Sequence, residues 1–585
     1  MPADPRSFVE ESLARERRAR QAAAKSIRAL LHPRSIAVVG ASRKPGSIGA
    51  VLVENLRAAA FQGPVYPVNP NATEIQGLPC HPSVSAIGKP VDLAVIAVPA
   101  VAVEEAANDC ARSGVRGLVV ISAGFAETGP EGVARQARLM EIARTHGMRL
   151  VGPNCLGILN TDPAVGLNAT FAPIRPGPGN IAMLSQSGAL GLAILDEVRN
   201  LNLGMSSFVS VGNRADVSVN DLLAYWADDP RTRTVLLYLE SFGNPRRFAR
   251  LAPAVSRIKP IVAVKSGRSA AGSRAASSHS ASLASLDIAV DALFEQAGVI
   301  RTNTLEELFD VTALLSTQPV PKGTRVGVVT NAGGPGILLA DACEARGLSL
   351  PGLGAGTVEA LRSFLPAQAG LGNPVDMIAS AGPDQFERAI SCVGADPAVD
   401  AVIVIYIPVA AAEPEAVASA IARGAGRVDP DKPILTVYLS TRGAPPALSN
   451  GPRGPLPSYS YPENAAMALS AAARYGQWRA APVGRPFSLP APAAAAVRSI
   501  ADRALKGKSE PFWLEPRDLA EILRVSGISF AASEEADPEG VRAAAERLDF
   551  PLVAKAVAPG LLHKTEIGGV ILGICDELKV PVRYV

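Results

Sequence analysis

Residues 35–56 read SIAVVGASRKPGSIGAVLVENL. Apolar residues from Ile36 run without alternation into Gly40, a turn of small residues follows, and apolar residues then recur at helical spacing up to Leu56. A continuous apolar strand, a tight turn and an amphipathic helix make the unit of a parallel sheet covered on both faces. The outline recurs in DLAVIAVPA from Asp92, GLVVISAG from Gly117, GNIAMLSQSG from Gly179, TVLLYLES from Thr234, PIVAVKSG from Pro260, RVGVVTNAGG from Arg325, AVIVIYIP from Ala401 and PILTVYLS from Pro433. Strands alternating with helices predict an α/β fold with parallel sheets.

The spacing of these strands divides the chain. A charged helical segment over 1–29 precedes units over 30–155, 156–318 and 319–480; a Pro/Ala-rich linker over 481–509 leads to an α+β unit over 510–575 and an atypical tail, 576–585. The second and third units share a strand, a Gly-rich turn and a helix, then a later strand ending VLLYLES or VIVIYIP, which hints at a duplicated fold.

Composition excludes several classes. The 585 residues carry 57 Lys and Arg against 54 Asp and Glu, a net charge of +3 with no basic block, so nucleic acid is not an expected partner. The N-terminus lacks the apolar core of a signal peptide, and the most apolar stretch, from Ala401, is broken by Pro408 before it reaches the ~20 residues of a membrane helix. Six scattered cysteines form neither a disulfide framework nor a CxxC metal site, and a cytoplasmic location is expected.

Candidate chemistry lies at strand ends, where a doubly wound sheet binds its ligands. Gly40, Ser42, Gly46, Ser47 and Gly49 fill the first turn, where small residues let the amides of a helix N-terminus approach a phosphate. Asn69, Pro99, Ser122, Gly124 and Glu127 end or follow the next strands. Ser185, Ser187 and Gly188 lead into one helix, and Asn331, Gly333 and Gly334 into another, giving two half-sites for one anion. His279 stands in a loop of Ser, Ala and Gly, and Glu240, at the end of VLLYLES, is suited to pair with its imidazole. Lys555, in PLVAKA, suits a nucleotide phosphate, because a Lys in an apolar strand is costly without an anion. His563 follows in GLLHKTEIGG. His32, His81 and His146 read as structural or solvated, and Cys155 as a packing residue.

In this order SIAVVGAS, VGPNCLG, SQSGALG, VGNRADVSVNDLL, SSHSASLAS, TNAGGPG, NPVDM and LVAKAVAPGLLHKTEIGGV resemble the NDP-forming acyl-CoA synthetases, the ADP-forming acetate–CoA ligase branch of the succinyl-CoA synthetase superfamily, from about Leu30 to Ile574. The resemblance implies a CoA-binding Rossmann-like domain, two flavodoxin-like succinyl-CoA ligase domains and a partial ATP-grasp lobe. It implies that CoA binds at Gly40, Ser42, Asn69, Pro99 and Glu127, that His279 is phosphorylated with Glu240 in support, and that Ser187, Gly188, Gly333 and Gly334 hold the phosphoryl group. It also implies that Lys555 contacts ATP and that His563 relays phosphate.

The implied reaction passes phosphoryl from ATP, with Mg²⁺, to His279, then to a small carboxylic acid, and ends with CoA attack on the acyl phosphate. The His279 loop departs from the family's usual SSHTGALAGSD at Ala281, Ser285 and Leu286. After GGVILGI the residues CDELKVPVRYV do not continue the family pattern, and the second ATP-grasp lobe with its acidic Mg²⁺ ligands is not expected among these residues. The expectation is therefore a chain that binds CoA and exchanges phosphate through His279 but turns over ATP poorly alone, within a homo-oligomer or with a partner chain that supplies the lobe. The competing reading is a non-catalytic CoA-binding protein, regulatory or vestigial, which has no need of His279. A Rossmann oxidoreductase is disfavoured, because VYPVNP ends in Asn69 and Pro70 where ribose recognition wants an acid.

Overall fold

The computed structural model describes residues 18, 20–268, 284–408, 414–440, 443–484, 489–508, 512–558, 561 and 564–576. The chain forms two compact units, one reaching Ala481 and one beginning at Pro482.

Among the described residues the first unit holds three large sheets and a two-stranded hairpin, Glu74–Ile75 with Leu78–Pro79. The first contains β1 (Ile36–Val39), β2 (Val65–Val68), β3 (Leu93–Ile96), β4 (Gly117–Val120) and β5 (Arg149–Val151), all parallel, in the order β2-β1-β3-β4-β5. Every residue of β1, β3 and β4 is buried, as expected of strands covered on both faces.

The second sheet contains β6 (Gly157–Asn160), β7 (Leu167–Thr170), β8 (Pro178–Ser185), β9 (Met205–Ser210), β10 (Thr234–Leu239), β11 (Ile261–Lys265) and β12 (Ile300–Thr302), in the order β12-β11-β10-β8-β9-β6-β7. Strands β6 and β7 form an antiparallel hairpin on its edge. The third contains β13 (Val326–Thr330), β14 (Val375–Asp376), β15 (Ala401–Tyr406), β16 (Ile434–Tyr438) and β17 (Ser458–Tyr459), in the order β14-β13-β15-β16-β17.

The parallel part of each sheet has its strands in the same order, 2-1-3-4-5 by position along the chain. This order places a topological switch point beside the first strand of each sheet, with ligand crevices at the strand C-terminal ends. Pairing aligns the second and third sheets residue by residue. Ser185 lies opposite Tyr238 and Ser210, and Thr330 opposite Ile405 and Asp376. Thus Ser185 corresponds to Thr330, and the hydroxyl of each donates to the carbonyl two residues on, Ser187 O at 2.7 Å and Ala332 O at 2.9 Å. The duplicated outline of the sequence has this counterpart in the backbone.

Side chains tie the second and third sheets together. Tyr475 Oη donates to Ser256 O at 2.6 Å, the Arg257 guanidinium lies 4.4 Å above the Trp478 ring, and Arg257 Nη1 reaches Ala481 O at 2.6 Å. Beneath the second sheet Trp226 is fully buried, its indole donating to Ser207 Oγ at 2.9 Å.

The second unit carries helices Ala491–Leu505, Pro516–Val525 and Val541–Glu546 and an antiparallel pair, β18 (Leu552–Lys555) and β19 (Val570–Ile574). Along β18 half-buried Leu552 and Ala554 alternate with exposed Val553 and Lys555. Lys555 therefore stands in an alternating strand with one wet face, and not in a buried apolar one.

Candidate active site

In the first turn Gly40 has φ +90°, and a Cβ there would lie 2.5 Å from Ala97 O. A Cβ at Gly49 would lie 2.0 Å from Gly40 O, so helix α1 (Ile48–Ala58) meets β1 backbone to backbone. Only glycine permits these approaches, and they bring the α1 N-terminus to the end of β1. Ser42 Oγ accepts from Lys44 N at 3.1 Å and Ser47 Oγ donates to Lys44 O at 2.7 Å, folding the turn. Asn69 Nδ2 donates to Ala41 O at 2.7 Å and braces it from β2, and Pro99 stands at the N-cap of helix Ala100–Arg112.

Glu127 Oε1 accepts from the Gly124 amide at 2.6 Å and the Phe125 amide at 3.1 Å, and its Oε2 from Asn213. Burial pushes the Glu127 carboxyl up, but the Asn213 side chain and these amides outweigh it and hold the carboxyl below its ordinary value. A depressed carboxylate stabilises the fold above its unfolded pKa and loses that contribution as pH falls through the folded one. Glu127→Gln is therefore expected to lower the thermal midpoint at pH 7, and the gap from wild type is expected to close below about pH 4.5, which thermal scans of both proteins from pH 7 to 3.5 would measure.

A cavity of about 700 Å³ joins this loop to the second sheet. Its lining includes Ile48 at the start of α1; Ser122 and Glu127; Asn154 and Cys155; Gln186, Ser187 and Gly188; Asn213 and Arg214; and Glu240 and Ser241. Parallel pairing places the ends of β4 and β5 side by side in the first sheet and those of β8, β9 and β10 side by side in the second, and the cavity lies between these two sets of strand ends. Ser187 caps helix α2 (Gly188–Asn200), its side chain accepting from Leu190 N at 3.3 Å, and the first amides of α2 face the cavity wall.

Glu240 is fixed by its backbone. Gln186 Oε1 accepts from the amides of Glu240 at 2.7 Å and Ser241 at 2.9 Å, and Gln186 Nε2 donates to Ser241 O at 2.7 Å. Arg214 Nη1 donates to the same carbonyl at 2.5 Å and to Ser241 Oγ at 3.0 Å. Burial pulls the Arg214 guanidinium below its ordinary value, and the Glu240 charge works against that. Among the described residues the Glu240 carboxylate makes no hydrogen bond, and Arg214 is the sole cation of the cavity wall.

Five sequence candidates, Ser122, Glu127, Ser187, Gly188 and Glu240, line this one cavity. Gly333 and Gly334, which open helix α3 (Gly333–Glu344), do not line it; a Cβ on Gly333 would lie 3.0 Å from Asp376 Oδ2. Asn331 is 2% exposed and spends its amide on the strand end beside it, donating to Ile407 O at 2.9 Å and accepting from Ile407 N at 3.0 Å. Lys555 belongs to the second unit, and His279 and His563 lie outside the described residues. Cys155 is buried, donates to Val120 O at 3.3 Å, and has its thiol pushed up by burial to about 12, as a packing residue would. Gln186, Asn213 and Arg214 are cavity residues the sequence reading does not single out. The available signal is that Gln186 directly follows β8, and Asn213 and Arg214 come in the turn after β9, each within a quoted motif.

Four family models match the chain: a CoA binding domain over 34–161, a succinyl-CoA ligase like flavodoxin domain over 178–315, a ligase-CoA domain over 326–481 and an ATP-grasp domain over 506–584. Acetate–CoA ligase [ADP-forming] I of Archaeoglobus fulgidus is 37% identical over 94% of this chain and 78% of its own length. The chain belongs to the ADP-forming acetate–CoA ligase family. The α subunit of acetate–CoA ligase [ADP-forming] II of Pyrococcus furiosus is 43% identical over 75% of this chain and 96% of its own length. The dinucleotide forming acetyl-coenzyme A synthetase 1 of Ca. Korarchaeum cryptofilum, solved with phosphate and ADP, is 37% identical with a TM-score of 0.73, covering 77% of this chain and 97% of that one. As a member of this family the chain is an ADP-forming acyl-CoA ligase that uses CoA and a nucleotide, a reading favoured over the non-catalytic CoA-binding alternative. Members of the family also occur with their domains divided between subunits. No helix among the described residues is long and apolar enough to cross a membrane.

Proposed function

We propose that the chain joins a small carboxylic acid to CoA through a phosphohistidine at His279 and an acyl phosphate. The γ-phosphoryl group of ATP passes to the imidazole as the bond to ADP breaks. A carboxylate oxygen then takes it from the imidazole, forming the acyl phosphate. The CoA thiolate attacks the acyl carbon and inorganic phosphate leaves. Two transfers of this kind need positioning and neutralisation of charge more than further covalent chemistry.

The unit over 30–155 binds CoA through Gly40, Ser42, Ser47, Asn69, Pro99, Gly124 and Glu127. Glu240 hydrogen-bonds the His279 ring, fixing its tautomer and supporting the cation, while the α2 amides at Ser187 and Gly188 and the α3 amides at Gly333 and Gly334 neutralise the phosphoryl oxygens. Asn331 braces the second of these helix starts. Lys555 meets the nucleotide phosphates in the 510–575 unit, and His563 relays phosphoryl there. Mg²⁺ enters as the complex of the nucleotide substrate; among the described residues no three His, Cys, Asp or Glu side chains gather, so no residue of the chain is assigned to it. The enzyme works in the cytoplasm, as an oligomer of this chain or with a partner chain.

The observation that carries this reading is the cavity in which a Glu240 carboxylate without a hydrogen bond among the described residues and the start of α2 face the Glu127 loop of the CoA-binding unit. Incubating the purified chain with acetate or other small acids, CoA, ATP and Mg²⁺ is expected to yield acyl-CoA and ADP in equal amounts, at a slow rate for the chain alone. Retained CoA binding with no acyl-CoA from any acid would return the chain to the non-catalytic alternative.

A further inference from the structure

We infer that Gln186 and Arg214 are positioning residues that hold Glu240 ready for the phosphoryl step; the inference rests on the assignment of Glu240 in the proposed function. Gln186 is 7% exposed and uses both ends of its amide on the Glu240–Ser241 backbone. Arg214 comes from the other side of β8, at the end of β9, and fastens the same turn through Ser241 O and Oγ. The Ser241 carbonyl thus accepts from two side chains borne on adjacent strands. Hydrogen bonds aimed at backbone fix where the Glu240 Cα sits and leave its carboxylate free for a ligand. This is preorganisation: the ordering is complete before the reaction begins.

The third sheet supplies an internal comparison. In the register of the two sheets Asn331 stands where Gln186 does, and Ile407 where Glu240 does. Asn331 clamps the Ile407 backbone by two hydrogen bonds, 2.9 and 3.0 Å. An amide clamp is therefore part of the scaffold in both sheets, whereas the acid and the Arg that fastens its turn a second time occur together in one. Arg214 holds its place at φ +54°, in the left-handed region that a non-glycine residue seldom adopts. Such strain persists where the surroundings impose it, commonly at working sites.

The test runs the last two steps backwards, so that it needs no nucleotide. Acetyl-CoA and ³²P-labelled inorganic phosphate give acetyl phosphate and CoA, and acetyl phosphate then passes its phosphoryl group to His279 with release of acetate. Initial labelling rates at saturating substrates, the KM for each substrate, thermal midpoints and CoA binding would be compared for wild type, Gln186→Ala, Arg214→Met, Arg214→Lys, Glu240→Gln and the double variant Arg214→Met/Glu240→Gln.

Gln186→Ala and Arg214→Met are expected to slow labelling about 10- to 100-fold through kcat, leaving the KM for acetyl-CoA near the wild-type value. Arg214→Lys, which can still donate to Ser241, is expected to recover most of the loss. In the Glu240→Gln background Arg214→Met is expected to change the rate by less than about twofold, because the residue it positions is already disabled. An equal loss in both backgrounds would overturn the inference, as would normal rates in Gln186→Ala and Arg214→Met beside a slowed Glu240→Gln. A wild-type rate in Glu240→Gln would instead remove the assignment of Glu240, and the clamp's role with it. Should Arg214→Met fail to fold, Arg214→Lys, whose donor is no longer a planar fork, decides: rescue requires a rate well above that of Glu240→Gln.

Discussion

His279→Ala is expected to abolish acyl-CoA formation, lowering kcat by about 10⁴-fold or more, equivalent to about 5.5 kcal/mol of lost transition-state stabilisation. The size of the effect follows from the scheme and not from any one contact. With the ATP and CoA steps assigned to separate domains, the imidazole is the one carrier that takes a phosphoryl group from the first to the carboxylate at the second. Without it ATP and carboxylate never share a site, and neither the α2 amides nor Glu240 has a phosphoryl group to stabilise. CoA affinity and the thermal midpoint are expected to stay at wild-type values, since the Gly40 turn and the Glu127 loop hold together through bonds of their own. Chromatographic assay of acyl-CoA beside calorimetric titration with CoA would check both halves. Residual ligation within tenfold of wild type would mean that ATP reaches the carboxylate by another route.

The second large effect is expected at Gly49. A methyl group there would stand 2.0 Å from Gly40 O, where side-chain carbons essentially never come closer than 3.0 Å, so α1 must withdraw from β1 by about an ångström. Gly40 is itself closely packed, since a Cβ on it would lie 2.5 Å from Ala97 O. Overpacking of this kind costs about 1–3 kcal/mol of stability. The functional loss is expected to be greater: a helix N-terminus displaced by an ångström no longer meets the CoA phosphates, and affinity for CoA falls on the order of 100-fold. Phosphorylation of the chain by ATP, assigned to other units, is expected to continue in Gly49→Ala. Wild-type CoA affinity in this variant would remove the first turn from the CoA site.

The contrast between these two residues shows what the amino-acid sequence discloses. Gly49 is legible because its role is local: a strand, a turn and a helix within about twenty residues, with the small residues where backbone must approach backbone. The parallel sheets are legible for a similar reason, since IAVV, LAVI and GLVV are too uniformly apolar to have a wet face. The hairpin β6–β7 is not, because it joins the sheet by its edge pairing with β9, about 50 residues away in sequence. Strand β18 misleads: PLVAKA reads as apolar throughout, yet its alternate residues face out.

Within the site, Ser122, Glu127, Ser187, Gly188 and Glu240 each end or follow a strand; parallel pairing carries the last three to one rim of the second sheet, and the end of the first sheet brings Ser122 and Glu127 to the same cavity. Gln186 and Arg214 also follow strands, but nothing in the sequence says what they hold. Their partners lie 54 to 55 and 27 residues away and, apart from Ser241 Oγ, are backbone atoms, so the identity of the partner residue leaves little trace. Asn331 shows the same limit from the other side, as a polar residue at a helix start whose amide turns to the neighbouring strand.

The central claim is the phosphohistidine, and phosphorylation of the purified chain by γ-labelled ATP with Mg²⁺ tests it most directly. Wild type, His279→Ala and His563→Ala would be labelled side by side and the label's stability followed in acid and in base. The account predicts an acid-labile, base-stable label in wild type that is absent from His279→Ala and discharged from wild type by a carboxylic acid together with CoA. A label of undiminished amount in His279→Ala, or one stable in acid, would contradict it.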